Sequence, residues 1–414
     1  MRRTGPTWIA LALLLAALPA AAAPAPSAGE IAVEAPSPYR SRAPQAAALE
    51  DGRFVVVWEN MREGLWARVL DAEGGSVGEQ RLLVANSPVP ANPGEGWWTT
   101  HHDGAVAPLP DGGFLLLWTT ELSWARNAVF HFDSERIASD IFARRFDAAG
   151  LPVGPQRQLN RETAGFQSDV RAVVMAPGRV LALWRDDRRG GRIHGRVLTE
   201  GGQRAGRERI FANRGATWPA AAANAHGDVL FAWGAPNGNG GDVHAQLLDA
   251  DLAPVTRIFR VNTTAARHQG EPAVAAGADG GFLVTWRGEL TGPRSFRNFS
   301  QAINAAGAPV GAEGRVGEGL WDADLTASVV AQPGGGYLAF WMGWKGFFSE
   351  ALYARELGTD GAPRGDALRV NEETVIPAHR LGFAAKAGRA VVAWEGFEGK
   401  ERGIQARVLV LSSP

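Results

Sequence analysis

The chain has 414 residues, including 52 glycines and 25 prolines, and its formal net charge is −1. This many helix breakers excludes a helix-rich fold, and the balanced charge excludes a polybasic nucleic-acid binder. There is no cysteine, which excludes disulfides, a lipidated N-terminal cysteine and any thiolate nucleophile or metal ligand. The fold must therefore be held by a large apolar core.

The N-terminal segment has the pattern of a secretory signal peptide. Two arginines precede an apolar run at residues 8–18 that is too short to span a bilayer, and three alanines ending at Ala22 provide a cleavage site. We expect a signal peptide at 1–22, a disordered leader at 23–28, and a secreted or periplasmic mature protein. No later run reaches the ~18 apolar residues of a membrane span.

A short apolar strand ending in tryptophan recurs seven times, at intervals of roughly 50 to 65 residues. The seven residues are Trp58, Trp118, Trp184, Trp233, Trp286, Trp341 and Trp394. A glycine turn such as that at residues 111–113 precedes each strand, which is typical of a β-hairpin. A third strand follows, with a small residue before Arg or Gln, as in Ala143-Arg144, and in most copies a fourth strand ends near asparagine.

Four antiparallel strands in about 50 residues predict one propeller blade, so seven copies predict an all-β, seven-bladed β-propeller. The seventh copy stops at a third strand, residues 403–411, and the missing fourth strand precedes the first copy, at residues 29–34. We expect these segments to pair and close the ring, which leaves no strand edge unpaired. Residues 29–414 then form a single domain, which we expect to be a monomer.

The repeat resembles those of bacterial secreted and cell-surface β-propeller proteins, which carry Asp-Gly-Gly-Phe, a terminal Trp, Tyr-Ala-Arg-Phe-Asp and Val-Asn. The best matches are residues 111–118, 141–154 and 261–286, and the resemblance covers about residues 29 to 412. It implies the fold and no single activity. The Gly-His mark of WD40 repeats is absent, none of the seven repeat tryptophans is followed by Asp as in those repeats, and the Ser-x-Asp-x-Gly-x-Thr-Trp box of sialidases is absent as well.

Strand alternation separates the loops into two faces of the ring. Turns between strands one and two, and between three and four, are short and share one face. The opposite face carries the irregular connections, including an insertion at residues 119–140 and a stretch rich in Trp and His at residues 97–103. Because binding sites lie on variable loops held by a rigid scaffold, we expect the site on this irregular face, where the innermost strands begin.

The candidate ligand-binding residues on this face combine aromatic rings, which suit stacking on sugars, with cationic and imidazole groups. They are Trp97, Trp98, Trp124, Trp218, Trp321, Arg40, Arg42 and His268. The candidate catalytic residues are titratable groups at the same channel mouth. They are His101, His102, Asp103, Asp169, Glu271, Asp324, His379 and Arg380. The structural alternatives are that the tryptophans plug the channel or pack under loops, and that the polar groups form a solvated funnel.

No cofactor is expected. The alternative is a divalent ion held by His101, His102 and Asp103 with His268 or Glu271 across the channel, because imidazole and carboxylate groups suit such ions. However, the first three residues are contiguous, and alternate residues of a strand point in opposite directions. The Asp-x-x-Gly turns resemble pieces of calcium loops without a full ligand series, so we expect ordinary turn chemistry there.

The sequence favours a non-catalytic binding propeller that recognises a glycan or an envelope protein, with neither nucleic acid nor a membrane span involved. The first alternative is a polysaccharide-active enzyme. A uronate lyase would use a histidine base and an arginine from the catalytic set, and a glycoside hydrolase would use two of its carboxylates. The second alternative is a scaffold for a periplasmic assembly.

Overall fold

The computed structural model describes residues 24–27, 29–35, 37–87, 96–125, 134–175, 178–238, 240–264, 267–290, 295–317, 323–345, 349–372, 381–398 and 401–411. Strands in these ranges form seven antiparallel sheets in chain order. Each innermost strand contacts the innermost strand of the next sheet, and the seventh returns to the first. The predicted seven-bladed propeller is confirmed. No helix in the described ranges has the length and apolar character needed to cross a membrane.

Two short strands, β1 (Ala25–Pro26) and β2 (Ile31–Ala32), precede the blades, and a 3-10 turn spans Arg188–Gly190. Each blade runs from its innermost strand outward in chain order. Blades 1 to 3 contain β3 (Ser41–Ala48), β4 (Phe54–Asn60), β5 (Gly64–Leu70) and β6 (Ser76–Ala85); β7 (Gly96–Pro108), β8 (Phe114–Ala125), β9 (Ser134–Phe146) and β10 (Pro152–Gln158); and β11 (Gln167–Val174), β12 (Arg179–Asp186), β13 (Arg192–Thr199) and β14 (Arg209–Ala212).

The remaining blades follow the same plan. Blades 4 to 7 contain β15 (Thr217–Ala223), β16 (Val229–Ala235), β17 (Asp242–Leu248) and β18 (Phe259–Arg260); β19 (Gln269–Ala276), β20 (Phe282–Glu289), β21 (Phe296–Ile303) and β22 (Pro309–Arg315); β23 (Ala323–Ala331), β24 (Tyr337–Lys345), β25 (Ser349–Leu357) and β26 (Pro363–Arg369); and β27 (Gly382–Lys386), β28 (Arg389–Glu398) and β29 (Glu401–Val410).

Blade 7 is completed by the N-terminal segment. In the ladder between β2 and β29, Ile31 lies opposite Ala406, and the Val33 N–H donates to the Ile404 carbonyl at 2.9 Å. The predicted closure of the ring is therefore confirmed. It joins the two ends of the domain through main-chain hydrogen bonds, which any sequence with free N–H groups can form.

The segment just before this clasp differs from the expectation of a disordered leader at 23–28. In the structure β1 extends the same sheet, with Ala25 opposite Val410. The Ser27 N–H and hydroxyl both donate to the Val408 carbonyl, each at 3.0 Å. The physical reason is that β29 is long enough to offer ladder positions to both β1 and β2.

Apolar clusters fill all seven gaps between neighbouring blades. Each repeat tryptophan belongs to the cluster shared with the preceding blade; Trp118, for example, packs with blade 1 and Trp394 with blade 6. All seven are at most 4% exposed. On the third strand a ring often stacks against the tryptophan, as Phe142 does on Trp118 with centroids 6.0 Å apart. The seven repeat tryptophans are therefore core residues.

The polar marks of the repeat hold strands together. The Arg144 guanidinium donates to the Gly154 carbonyl at 2.9 Å, and Arg355 makes the same bond to Gly365 at 3.0 Å. The buried Asn262 accepts the Val243 N–H at 2.8 Å, which joins the end of a fourth strand to its third strand. These side chains thus join neighbouring strands within a blade.

The Asp-x-x-Gly turns are also structural. The Asp71 Oδ1 accepts the N–H groups of Glu73 and Gly75, and in blade 5 the neutral Asn304 accepts the equivalent pair from Ala306 and Ala308. Because the uncharged amide oxygen of Asn304 accepts the same two hydrogen bonds, the turn requires a hydrogen-bond acceptor and does not require a cation.

Glu34 lies beside the closure and is 6% exposed. Its Oε1 accepts the Ser41 hydroxyl at 2.6 Å. Burial raises the pKa of Glu34 above its ordinary value, although hydrogen bonds from Ser41 and neighbouring groups oppose the shift. The clasp therefore contains a carboxyl group whose ionised form is disfavoured in the folded state.

Replacing Glu34 by glutamine tests whether the buried, ionised carboxylate lowers the stability of the folded protein. The folded-state pKa of Glu34 lies above the ordinary 4.5, so the stability contributed by its protonated form is present at acid pH and lost as the pH rises through the folded-state pKa. We expect the melting temperature of the wild-type protein to fall relative to that of Glu34→Gln between about pH 4 and pH 7. Thermal unfolding measures this, with the exposed Glu79→Gln as control; a difference independent of pH would contradict it.

Candidate functional site

The strand registers place the irregular connections on one side of the ring. In blade 1, Asn60 lies opposite both Ser41 and Gly64, and Gly64 lies opposite Ala85. The first and third strands therefore begin, and the second and fourth end, at the same edge. We call this side, where the innermost strands begin, the entry face. The predicted assignment of loops to faces is confirmed.

The innermost strands of blades 1 to 6 share a feature that the sequence pattern did not predict. Each has a register break near its start, such as that between Arg42 and Gln45. In five of these blades, the residue that directly follows the last pair before the break is not glycine and has a φ of 50–55°. These five residues, here called the bulge ring, are Ala43, Asp103, Asp169, Trp218 and Glu271.

The bulge ring costs backbone energy. A left-handed conformation is unfavourable by about 1–2 kcal/mol for a residue with a Cβ atom, less for Asp. Bulges at the rim of a closed sheet re-aim a side chain, and strain of this kind concentrates at functional sites. Three of the five positions carry carboxylates, so the strain coincides with chemically useful groups.

Hydrogen bonds connect the bulge ring across blades 1, 2 and 3. The Arg42 Nε donates to Glu59 Oε2 at 2.9 Å, and the Asp103 N–H donates to Glu59 Oε1 at 2.6 Å. The Asp169 N–H then donates to Asp103 Oδ2 at 3.2 Å. Each carboxylate thus fixes the bulge of a neighbouring strand.

His102 lies between two carboxylates in blade 2. Its Nδ1 is 3.2 Å from Asp103 Oδ2, its Nε2 is 3.5 Å from Glu121 Oε2, and Arg136 holds Glu121 at 2.5 Å. Burial disfavours the charged imidazole, but hydrogen bonds to Asp103 and Glu121 outweigh it and raise the pKa of His102 to about 9. The ring is therefore protonated at neutral pH, which makes it unsuitable as a general base there.

His101 belongs to a different environment, because successive residues of a strand point to opposite sides. Its Nδ1 is 3.0 Å from the Thr120 hydroxyl, which also accepts the Trp118 indole N–H at 3.0 Å. Burial lowers the pKa of His101 to about 4, so the ring is neutral at physiological pH. Of the metal ligands considered from the sequence, only His102 and Asp103 are brought together.

Trp218 is the aromatic member of the bulge ring. Its ring meets His268 edge-on with centroids 5.5 Å apart. A Cβ atom added at Gly234 or at Gly270 would lie 2.8 Å from the Trp218 ring. The two glycines therefore form a seat between blades 4 and 5 that holds a half-buried indole in place. His268 contacts the Gly240 carbonyl at 3.3 Å.

A cavity of about 380 Å³ opens below this part of the bulge ring. Its polar lining includes Asp169, Arg171 and Glu271, Trp218 forms part of its wall, and apolar residues such as Phe383 line it further along the strands. Glu271 is ion-paired with Arg287 at 2.5 Å. The cavity thus gathers two carboxylates, a cation and an aromatic surface from different blades, as expected of a small-molecule or sugar site.

The other candidates have less suitable positions. Arg40 donates to the buried Glu395 at 3.0 Å. Trp98 is 8% exposed and packs within the protein, contrary to the expectation of an exposed platform, because β7 continues through it as a paired strand. The side chains of Trp97, Trp124 and Asp324 lie outside the described part of the chain, although their backbones pair within strands. Trp321, His379 and Arg380 lie outside the described residues altogether.

The insertion in blade 2 is largely a hairpin extension and not the irregular loop expected at residues 119–140. β8 continues to Ala125, β9 begins at Ser134, and β7 runs alongside from Gly96. These strands have 12 or 13 residues, about five more than most others, so blade 2 rises roughly 15 Å above the entry face. Polar and apolar residues alternate over Glu121–Trp124, as is usual in a paired strand.

Three charged partners were missed in the sequence. Glu59, Arg287 and Glu395 each follow a repeat tryptophan directly. The register sets Glu59 opposite Arg42 and Arg287 opposite Gly270, next to the bulges. The position after each repeat tryptophan was therefore an available signal for groups that face the channel mouth.

No protein-family model and no curated protein matches the chain. Solved structures do match. A protein of unknown function from Dyadobacter fermentans is 12% identical with a TM-score of 0.54, covering 95% of this chain and 100% of that one. NanB sialidase from Streptococcus pneumoniae is 9% identical (TM-score 0.49, coverage 92% and 70%). An α-L-arabinofuranosidase from Fusarium graminearum, solved with an iminosugar inhibitor, is 11% identical (TM-score 0.44, coverage 92% and 97%). Such likenesses concern the fold.

The expectation of a non-catalytic binding propeller is corrected by this comparison. The matching propellers include the two glycosidases above and a polysaccharide lyase, all of them enzymes that act on carbohydrates. Because the identities are 9 to 12%, the argument for a particular chemistry has to come from this chain's own residues.

Ala43 allows a direct measurement of the bulge strain. With a φ of 50° it occupies a conformation that glycine adopts freely. We expect Ala43→Gly to stabilise the protein by roughly 0.5–1 kcal/mol, the relieved strain exceeding the entropy that glycine loses on folding. Ala85→Gly, on the exposed edge strand β6, should instead destabilise it by a similar amount. Urea unfolding measures both, and destabilisation by both substitutions would show that the bulge is unstrained.

Proposed function

We propose that the protein hydrolyses glycosidic bonds in an oligosaccharide or polysaccharide that enters the channel from the entry face. The observation that carries the proposal is the cavity of about 380 Å³ lined by Asp169, Glu271, Arg171 and Trp218. A pair of carboxyl groups flanking one bond is the chemical requirement of most glycoside hydrolases. Two members of the strained bulge ring, Asp169 and Glu271, would supply these groups.

The reaction needs only water and the two carboxyl groups. One carboxylic acid gives its proton to the glycosidic oxygen as the bond from that oxygen to C1 breaks. The other, as carboxylate, either bonds to C1 and is later displaced by water or removes a proton from the water that attacks C1. In both cases water's hydroxyl ends on C1. In the two-step route the remaining water proton returns to the acid, and in the one-step route it passes to the base carboxylate, after which proton exchange with solvent resets both groups.

The neighbouring side chains suit substrate binding. Trp218 offers a flat apolar surface held by its glycine seat, which fits the apolar face of a sugar ring, and Arg171 offers hydrogen-bond donors within the same cavity. The ion pair with Arg287 orients Glu271. Pre-positioned groups of this kind favour catalysis because little reorganisation is needed when substrate binds.

Elimination from a uronate is less well supported. A lyase needs a neutral base near neutral pH, whereas the raised pKa of His102, about 9, keeps that ring protonated. His101 is neutral but is buried against Thr120 and Trp118. The described groups therefore supply a pair of carboxyl groups more readily than a lyase base.

The N-terminal signal-peptide pattern supports export of this protein. Its substrate would then be a glycan outside the cytoplasm, in the periplasm or beyond the cell.

The test uses purified full-length protein and a panel of arabinan, xylan, polygalacturonate and sialyllactose, with reducing-sugar release and absorbance at 235 nm measured in parallel. We expect sugar release without absorbance at 235 nm. Asp169→Asn and Glu271→Gln should each lower kcat by about 10²–10⁴-fold. The exposed Asp366→Asn is the matched control and should leave kcat unchanged. An increase in absorbance at 235 nm would indicate elimination and not hydrolysis. An unchanged kcat in both variants would overturn the assignment of Asp169 and Glu271 as the catalytic pair.

Trp218→Ala provides a separate test of the proposed sugar platform. Removing a stacking surface weakens binding of substrate and transition state together, so we expect KM to rise about tenfold or more with a smaller change in kcat. Trp98→Phe, at a buried tryptophan of the same face, is the control and should leave KM unchanged. An unchanged KM in Trp218→Ala would exclude the indole from substrate contact.

A further inference from the structure

We infer that Glu59, His102 and Asp103 form a site for one divalent metal ion of the Zn²⁺ or Mn²⁺ type on the entry face, between blades 1 and 2. One ligand atom from each side chain lies within 4.8 Å of the other two. The set keeps two residues of the metal alternative drawn from the sequence and replaces the others with Glu59, which reaches the cluster from the neighbouring blade. It stands independently of the proposed hydrolysis.

The spacing within the cluster suits one ion. Two atoms bound to the same ion at about 2.0–2.2 Å lie roughly 3 to 3.5 Å apart at tetrahedral or octahedral angles. His102 Nδ1 and Asp103 Oδ2 are 3.2 Å apart. An imidazole nitrogen with carboxylate oxygens favours Zn²⁺ or Mn²⁺ over Ca²⁺ and Mg²⁺, which prefer oxygen ligands throughout.

A second observation concerns the other nitrogen of His102. Histidines that bind metal ions commonly donate their second ring N–H to a carboxylate, which fixes the ring orientation. Here Nε2 faces Glu121 Oε2 at 3.5 Å, and Glu121 is itself held by the Arg136 Nε at 2.5 Å. The imidazole is therefore oriented with Nδ1 towards Asp103, the arrangement needed for a ligand.

The net charge of the side chains around His102 also favours a bound cation. Three carboxylates, those of Glu59, Asp103 and Glu121, meet two guanidinium groups, those of Arg42 and Arg136. With His102 neutral, these groups carry one excess negative charge in a half-buried place. A proton on His102 balances this charge. When Arg42 turns to solvent the remaining groups carry two excess negative charges, which a divalent ion balances.

The ligands are carried by rigid elements. Glu59 follows a buried tryptophan in β4 and is itself 4% exposed, and the Asp103 N–H donates to its Oε1. Arg42 occupies the other oxygen of Glu59 at 2.9 Å, but its side chain is 45% exposed and can turn to solvent when an ion binds. The site therefore needs a small rearrangement, confined to Arg42.

The ion would also act on the neighbouring cavity. Asp103 Oδ2 accepts the Asp169 N–H at 3.2 Å, so an ion that fixes Asp103 also fixes the bulge that carries Asp169. The metal would serve as a clamp between blades 1, 2 and 3, and its chemical role would be positioning.

The test measures metal binding directly and needs no substrate. Untagged full-length protein is freed of metal with dipicolinate and titrated with ZnCl₂ and, separately, MnCl₂ by calorimetry, and the bound metal is counted after gel filtration. We expect one ion per chain and a higher melting temperature with metal. Asp103→Asn should weaken binding at least tenfold, and Glu121→Gln about 10- to 100-fold. Asn tolerates the left-handed backbone at position 103, so the first variant keeps the bulge.

The exposed His226→Gln, on the opposite face, is the matched control and should bind as the wild type does. Absence of Zn²⁺ and Mn²⁺ binding would overturn the proposal and leave His102 as a protonated partner of two carboxylates. Equal affinity in the wild type and Asp103→Asn, with both folded by circular dichroism, would also overturn it, since the ion would then lie elsewhere. Activity without bound metal would leave the proposed hydrolysis intact, so the two proposals fail separately.

Discussion

The structure depends on burial of each sheet between two neighbours. A blade has two apolar faces and cannot cover either alone, so every repeat tryptophan is buried by the preceding blade. The first blade meets this requirement only if the seventh lies against it, which the pairing of β2 with β29 secures. Without cysteines, this closure takes the place of a covalent clasp. A rigid ring then carries strained backbone at its mouth without a general loss of order.

Much of the fold could be read from the sequence because it depends on repetition. The Trp strand, the glycine turn before it and the split seventh copy each reflect a local requirement that recurs in the chain. The division into two faces followed from strand alternation alone. The leader was misjudged because pairing of Ala25 with Val410 uses main-chain groups, which leave no residue preference in the sequence.

Only part of the candidate site could be predicted from the sequence. Asp103, Asp169, Trp218 and Glu271 were found because they begin innermost strands, but their common bulge is a break in register that side-chain patterns do not encode. Glu59 and Arg287 were overlooked although both follow a repeat tryptophan, because that position was considered only as the end of a core strand. The sequence pattern predicts a surface position for Trp98, whereas the structure buries it, because the lengthening of blade 2 depends on pairing between segments that are distant in sequence.

The bulge has a consequence for how such a ring can change over evolution. Its backbone path is imposed by the ladder on either side, and the same path accommodates Ala, Asp, Trp and Glu in different blades. Side chains at these positions can therefore be exchanged while the backbone of the ring keeps its path. A gene made of such repeats can acquire new chemistry by single codon changes at this one position of the repeat. Selection on the tryptophan core meanwhile keeps the ring intact.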